Sequence, residues 1–154
     1  MSKLKTLIIY NSIHHGNTKK IAEAMAKVLN AKLLKPDEVV IEKIVKYDLI
    51  GFGSGIYFSK FHRTLLELIE NLPNFKNKKA FIFYTSGAEP SARFTKLPKD
   101  KLIERGFNII GEFSCKAFDT FGLLKLFGGI NRGRPNENDL REAENFARNI
   151  KNKM

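Results

Sequence analysis

A short polar loop between a predicted strand and a predicted helix has the residue types that bind an anion. Ser12, Asn17 and Thr18 supply hydroxyl and amide donors, and Gly16 lets the backbone approach a ligand closely. The apolar residues 4–10 predict the strand, and the apolar spacing after the loop predicts a helix that begins near Asn17 or Thr18. Because the first N–H groups of a helix are unpaired and carry partial positive charge, the pattern indicates a phosphate site that needs no metal.

The same loop lacks the lysine of a nucleoside triphosphate site. A P-loop has lysine after its last glycine, whereas Asn17 follows Gly16 in this chain. A second glycine-rich run, residues 51–55, follows the third predicted strand and lacks the later glycine of a dinucleotide fingerprint. That run has two interpretations, tight packing at a strand end and a role in ligand binding.

Length and charge limit the classes of protein that this chain can be. Its 154 residues, 43% of them hydrophobic, predict one globular domain over residues 1–154. It has 27 basic and 16 acidic side chains and a net charge of +11. The basic residues are dispersed and the sequence has no nucleic-acid-binding motif, so we expect no nucleic-acid partner. The charge then indicates either an ordinary solvated surface or an acidic protein partner. No apolar run is long enough to span a bilayer, so we expect a cytoplasmic protein without a transmembrane segment.

The cysteine and histidine content gives little support to a metal site. Cys115 is the only cysteine, and we expect it to be a small buried hydrophobic residue. His14, His15 and His62 all lie in or beside predicted ligand loops. Because His14 and His15 are neighbours whose side chains point in different directions, we expect no shared metal.

Strand and helix patterns alternate along the chain. They predict an α/β fold with a doubly wound parallel sheet of five strands and helices on both faces. The predicted strands are residues 4–10, 31–35, 47–53, 79–85 and 107–114, and the predicted helical segments are 17–29, 37–45, 65–72, 98–105 and 136–153. Ligands in such sheets bind beyond the carboxyl ends of the strands. The loops 11–18, 54–59 and 86–90 are therefore the predicted site.

Several of these segments resemble flavodoxins. Residues 10–12 and 16–18, followed by Ala22, resemble the flavodoxin phosphate-binding signature, and residues 48–54 resemble the third flavodoxin strand. Residues 53–62 are similar to flavodoxin-like relatives that include menaquinone-type protoporphyrinogen dehydrogenases. The resemblance covers essentially the whole chain. It implies the strand order 2-1-3-4-5 known for flavodoxins and FMN as the cofactor.

The resemblance also implies a role for each loop. The phosphate would lie over Gly16, Asn17 and Thr18, with Ser12 and either His14 or His15 as further donors. The flavin ring needs apolar faces and backbone partners along one edge. The faces are assigned to Ile56, Tyr57 and Phe58, and the edge to backbone groups of Ser54, Gly55, Ser86, Gly87 and Ala88. No residue is assigned a catalytic role.

Two features depart from the flavodoxin pattern. The first loop has one residue more than the familiar loop, and its residues 13–15 include two histidines where a threonine is usual. The chain is also basic, whereas flavodoxins are typically acidic. We therefore expect different partners, and a positive field that favours the reduced flavin because reduction adds negative charge.

Three functions are open at this point. The first is an electron carrier between protein partners of ferredoxin or reductase type, acidic partners among them. The second is an FMN-dependent oxidoreductase that reduces a quinone or a similar small molecule, and the third is a flavin-free binding module. The apolar segment 115–134 has no clear secondary structure, and it is interpreted as a lid, a homodimer contact, a quinone-site wall or an insertion packed on the fifth strand.

Overall fold

Strands and helices alternate along the chain in the computed structural model, which describes residues 3–13, 16–118 and 129–154. In chain order the elements are β1 Thr6–Asn11, α1 Asn17–Leu29, β2 Lys32–Leu34, β3 Leu49–Tyr57, β4 Lys60–Phe61, α2 Arg63–Glu70, β5 Lys78–Ser86, α3 Arg93–Glu104, β6 Phe107–Lys116 and α4 Glu137–Asn152. Two short 3-10 segments, Pro36–Glu38 and Ile41–Lys46, connect β2 to β3. None of the helices in the described ranges combines the length and the apolarity that a membrane crossing requires.

The main sheet is parallel and doubly wound. Its strand order is β2-β1-β3-β5-β6, and β4 pairs antiparallel with the end of β3. Because β4 is an additional short strand, this order is the predicted 2-1-3-4-5 with the last two strands renumbered. The predicted fold class is therefore confirmed.

Alternating side chains bury both faces of the sheet. In β1, Leu7 and Ile9 belong to one core, and Ile8 and Tyr10 belong to the other. Helices α2 and α3 cover the first core, and α1 and α4 cover the second. The continuous apolar run 7–10 of β1 therefore lies between two layers of helices, as buried parallel strands do.

Two glycines of β3 make room for aromatic rings of β5. A Cβ atom on Gly51 would lie 2.3 Å from the Phe81 ring, and a Cβ on Gly53 would lie 2.0 Å from the Phe83 ring. Each glycine is paired with the phenylalanine that it faces. Of the two interpretations of residues 51–55, packing therefore holds for Gly51 and Gly53.

Some predicted boundaries were wrong. The strand predicted to end at residue 53 continues to Tyr57, so most of the predicted loop 54–59 is strand. The segment 37–45, predicted as a helix, consists of two 3-10 segments instead. The fifth predicted strand continues to Lys116, with a register shift against β5 next to Ala80.

Helix α3 begins five residues before its predicted start. Proline is common at the first position of a helix, because its missing N–H costs nothing there. In the structure Pro98 lies inside α3, buried against the core, and the helix begins at Arg93. The start of α4 is as predicted, since Asn136 Oδ1 accepts a hydrogen bond from the Asp139 N–H at 3.0 Å.

Candidate functional site

The carboxyl ends of four parallel strands meet at one edge of the sheet. These ends are Asn11 of β1, Tyr57 of β3, Ser86 of β5 and Lys116 of β6, and we call this edge the carboxyl edge. The loops after β1, β3 and β5 leave from it. The structure therefore brings together the three loops in which ligand residues were predicted.

Helix α1 begins at the carboxyl edge with unpaired backbone donors. Gly16 precedes it with a φ of 65°, a left-handed conformation that glycine adopts readily. The Lys19 N–H donates to Ser12 Oγ at 3.2 Å, whereas the N–H groups of Asn17 and Thr18 have no acceptor among the described residues. A Cβ on Gly16 would meet none of the described atoms within 4 Å. This helix end is therefore open to an anion.

The side chains of Asn17 and Thr18 already contact other parts of the protein. Asn17 Nδ2 donates to the Phe118 carbonyl at 2.8 Å. Thr18 Oγ1 lies 2.8 Å from Thr85 Oγ1, and both residues are buried, so this hydrogen bond joins α1 to β5. The ligand role predicted for Asn17 and Thr18 therefore rests on their backbone amides. The other predicted phosphate donors, His14 and His15, lie outside the described residues.

Tyr57 joins the end of β3 to the loop after β1. Its hydroxyl oxygen accepts a hydrogen bond from the Ile13 N–H at 3.3 Å. The ring lies against the backbone of Gly55, where a Cβ atom would be 2.7 Å from the hydroxyl oxygen. It also meets the His62 ring edge-on, with the centroids 5.3 Å apart. A residue predicted to cover the flavin therefore also connects two of the three loops.

Phe58 and Ser59 form the tight turn between β3 and β4. Their φ angles are 51° and 66°, which a two-residue hairpin turn requires and which bulky residues adopt only with strain. Phe58 is 83% exposed. The hairpin and β4 were missed because the sequence has no Asn-Gly or Asp-Gly pair here. Ile56 therefore lies in a strand, paired with Phe61 of β4.

Ser54 and Gly55 lie inside β3. The Ser54 hydroxyl is fully buried, donates to the Gly55 carbonyl at 2.6 Å and accepts from the His62 N–H at 2.9 Å. Gly55 is paired with Thr85 of β5. These contacts hold the hairpin against the sheet. The ring-edge role of the Ser54 and Gly55 backbone stays a prediction.

Hydrogen bonds fix the loop after β5 from two sides. Ser86 Oγ accepts from the Ala88 N–H at 3.0 Å, and the Ser86 carbonyl accepts from the Ala117 N–H at 3.0 Å. Asn131 Nδ2 donates to the carbonyls of Gly87 and Ala117, at 3.1 Å to each. Sequence reasoning missed Asn131. Its one signal was an asparagine in a glycine-rich stretch, where it adopts a φ of 56°.

A chain of hydrogen bonds links the end of β1 to the start of α2. Asn11 Nδ2 donates to Thr64 Oγ1 at 3.1 Å, and Thr64 Oγ1 lies 2.8 Å from His62 Nδ1. The Thr64 N–H also donates to His62 Nδ1 at 3.2 Å, so the imidazole caps α2 as an acceptor. This role needs an unprotonated Nδ1. Burial and the charge of Arg63 lower the pKa of His62, which favours that form.

Asn11 also carries a buried oxygen without a donor. Its Oδ1 has no hydrogen-bond partner in the part of the chain that the structure describes. A buried acceptor left unpaired costs about 1–3 kcal/mol, so a hydroxyl or N–H group of a ligand at this position would be favoured. Asn11 was not a predicted site residue, although it is the polar residue that ends an apolar strand.

The carboxyl edge is basic. The basic residues that the structure describes there are Lys19, Lys20, Lys60, Arg63, Arg93, Lys96, Lys116, Arg132 and Arg134. Ion pairs offset part of this charge, such as Arg134 with Asp139 at 2.5 Å. A positive potential of this kind favours the approach of anions.

Cys115 is buried beside this edge, as predicted. It is 6% exposed, and burial, with the nearby Asp139 carboxylate, raises the pKa of its thiol to about 12. The thiol therefore stays protonated and unreactive at neutral pH. Residues 119–128 of the predicted apolar segment lie outside the described residues, so the roles proposed for that segment stay predictions.

Removal of the Tyr57 hydroxyl tests the link between the first two loops. Tyr57→Phe leaves the Ile13 N–H without its acceptor, so we expect amide exchange at Ile13 to become about fivefold faster. The matched control is Tyr84→Phe, because the Tyr84 hydroxyl accepts from the Ser91 N–H at 3.1 Å. The control should accelerate exchange at Ser91 only. Hydrogen exchange followed by NMR measures both sites, and an unchanged rate at Ile13 in Tyr57→Phe would contradict the link.

The lowered pKa of His62 predicts that the folded protein loses stability as the pH falls. Its folded pKa lies below the unfolded value of 6.5, so its stabilising contribution is complete above pH 6.5 and is lost as the pH falls through the folded pKa. His62→Asn keeps an N-cap acceptor that does not titrate. We therefore expect the free energy of unfolding to depend less on pH in His62→Asn than in the wild type, between about pH 7 and 5.

Urea unfolding at several pH values measures this difference. The control is a double variant, His14→Gln with His15→Gln, which should retain the pH dependence contributed by His62. If His62→Asn and the wild type lose stability equally as the pH falls, the capping role of the neutral imidazole is wrong.

Comparison with known proteins agrees with this architecture. The family model of the flavodoxin domain matches residues 7–121. An uncharacterised protein of Methanocaldococcus jannaschii is 49% identical over 148 residues, covering 96% of this chain and 98% of the relative.

Solved flavodoxin structures share the fold at lower sequence identity. Oxidised flavodoxin 2 from Bacillus cereus has a TM-score of 0.73 and 21% identity, and the match covers 97% of this chain and 99% of that one. A flavodoxin from the domain Archaea has a TM-score of 0.67 and 19% identity, covering 97% and 98% of the two chains. Because the family model matches most of its length, the chain belongs to the flavodoxin domain family.

Proposed function

We propose that this chain binds FMN at the carboxyl edge and carries electrons between protein partners. Membership of the flavodoxin domain family supports a bound flavin, which is FMN in flavodoxins. The single structural observation that carries the proposal is the start of α1. There no described residue fills the space over Gly16, beside the amides of Asn17 and Thr18.

The phosphate is assigned to this helix end. The N–H groups of Asn17 and Thr18 donate to it, held in place by the helix itself. Ser12 is a third donor, because its oxygen accepts from Lys19 and its hydroxyl hydrogen stays available. Lys19 and Lys20 add positive charge in the first helical turn. Fixed donors and positive charge together bind an anion without rearrangement of the loop.

The flavin ring is assigned to the space between the hairpin and the loop after β5. FMN supplies, when bound, a ring that accepts and releases electrons singly or in pairs. Residues 56–58 provide apolar surface at the end of β3, and residues 86–88 provide backbone groups across from them. Asn131 holds the loop after β5, so the backbone groups of that loop are ordered before a ligand binds. The unpaired Asn11 Oδ1 accepts from a ligand hydroxyl.

The charge of the carboxyl edge favours a carrier over an enzyme. A carrier needs a docking face around the cofactor, and this edge combines basic side chains with the exposed Phe58 ring. Reduction of a quinone or a similar small molecule is the second candidate function. The likeness of residues 53–62 to protoporphyrinogen dehydrogenases stays a prediction.

Two variants of Gly16 test the placement of the phosphate. Gly16→Asp and Gly16→Asn have nearly the same shape, and both residue types tolerate a positive φ better than most. Aspartate adds a negative charge beside the phosphate. We therefore expect FMN affinity to be about tenfold weaker in Gly16→Asp than in Gly16→Asn, with little difference for riboflavin, which has no phosphate.

Quenching of flavin fluorescence during titration of the flavin-free protein measures both affinities. Equal FMN affinities for the two variants would contradict the phosphate placement. A wild-type protein that binds neither flavin would contradict the proposed function and favour the flavin-free module.

Assays of the FMN-loaded protein separate the two redox functions. Electron transfer from the reduced protein to an acidic ferredoxin should be fast at low salt and slow down with ionic strength, because opposite charges steer the encounter. With NAD(P)H and a quinone, we expect no turnover above that of free FMN. Quinone reduction well above the free-FMN control, without salt-sensitive transfer to the ferredoxin, would favour the enzyme.

A further inference from the structure

A groove of about 290 Å³ lies between the β3–β4 hairpin and the first half of α3. Its floor is apolar, because Phe61 and Phe94 are 2% and 3% exposed and Pro98 is buried beside them. We call it the α3 groove. It borders the hairpin turn at Ser59 and Lys60, and none of its lining residues belongs to the phosphate loop.

Positive side chains surround the apolar floor. Lys60 and Arg93 line the groove, and neither has an ion-pair partner within the described ranges. The Arg93 guanidinium lies over the Phe94 ring, 5.3 Å from its centroid. Lys96 also lines the groove, where Asp100 offsets its charge at 2.8 Å. The groove therefore keeps a net positive charge above an apolar base.

We propose that the α3 groove docks an acidic segment of a protein partner. One aromatic or aliphatic side chain of the partner lies on the floor, and adjacent carboxylates contact Lys60 and Arg93. Charge complementarity selects this occupant, since the groove is basic and the chain as a whole carries +11. Participation of this surface in electron transfer rests on the proposed function, whereas docking itself does not.

The size and composition of the groove argue for a protein segment. Its volume lies just below the roughly 300–1,000 Å³ of pockets that hold drug-sized ligands, and it suits a single large side chain. A nucleic-acid surface instead needs hydrogen-bond donors and charges repeated along a backbone. Arginine is one of the residue types that contribute most to binding at protein interfaces, and such residues often lie in well-packed pockets. Phe58, the residue before Ser59 in the chain, is exposed.

Titration with a synthetic acidic peptide tests the proposal. The probe is a short peptide in which phenylalanine is flanked by glutamates. One matched peptide has glutamine in place of glutamate, and another has alanine in place of phenylalanine. Binding to the chain of 154 residues, with and without added FMN, is followed by two-dimensional NMR. We expect the largest shifts at residues 59–61 and 93–98, and weaker binding of both matched peptides.

Charge-matched variants separate local docking from overall attraction. The test variant is Lys60→Gln with Arg93→Gln, and the control is Lys27→Gln with Lys151→Gln, two exposed positive residues in the last turns of α1 and α4. Both variants lose two positive charges. We expect the acidic peptide to bind about tenfold more weakly to the test variant and almost unchanged to the control. Leu97 lies at the partly exposed edge of the floor. We expect Leu97→Ser to weaken binding of the phenylalanine peptide more than binding of the alanine peptide.

Four results would overturn the proposal. The first is an equal loss of peptide affinity in the test and control variants, and the second is an equal affinity for the acidic and the glutamine peptides. The third is a dissociation constant of the acidic peptide above about 1 mM. The fourth is loss of the bound peptide when the chain associates with a second copy of itself at higher concentration, or when a DNA duplex of equal charge is added. Peptide docking in a protein that fails to bind FMN would leave the docking site intact and refute only its role in electron transfer.

Discussion

Two aromatic rings determine how the central strands lie against each other. The Phe81 and Phe83 rings of β5 fill the positions that side chains at Gly51 and Gly53 of β3 would take. A shift of one residue between β3 and β5 would pair Phe52 with Phe81 or Phe83 and move the two glycines away from the rings that need their space, so the packing fixes the register of the two strands. The register in turn fixes where both strands end. The hairpin after β3 and the loop after β5 are therefore positioned by a contact in the core, well below the carboxyl edge.

Side-chain hydrogen bonds then connect the loops at that edge to one another. Thr18 joins α1 to β5, Tyr57 joins the hairpin to the loop after β1, and Asn131 joins the loop after β5 to the end of β6. Most of the polar side chains at the site thus serve the protein's own structure. What they leave for a ligand is mainly backbone, held in fixed positions by these bonds. Fixed backbone donors are well suited to a phosphate, because no ordering free energy is lost when the anion binds.

The sequence predicted the architecture because the apolar patterns that specify it are local. Buried strands such as residues 4–10 and the paired Asn136 and Asp139 of α4 are recognisable within a few residues. The hairpin was missed because Phe58 and Ser59 are not residue types usual in a tight turn. The start of α3 was missed because Pro98 lies in a helix interior. Both exceptions are set by tertiary packing, which overrides local preference.

The sequence predicted that three loops meet at one edge of the sheet, but it did not predict the side-chain contacts within them. The position of Gly16 just before α1 could be predicted from the strand, loop and helix pattern alone. The side-chain partner of Asn17 is the carbonyl of Phe118, 101 positions away in the sequence, and no local pattern identifies such a contact. Asn11, Thr64 and Asn131 were overlooked for the same reason. A single polar residue near a strand end or a glycine has many possible partners until the fold brings one of them close.

The left-handed turn at Phe58 and Ser59 also affects how this protein would respond to engineering. Asparagine and glycine suit these φ angles, so exchanging the pair would relieve strain of roughly 1–3 kcal/mol per residue. A selection that ranks variants by melting temperature alone would favour that exchange and discard the exposed aromatic ring. The most thermostable variants would then be those whose hairpin turn has lost its aromatic side chain. A library built for stability should therefore hold these two positions constant.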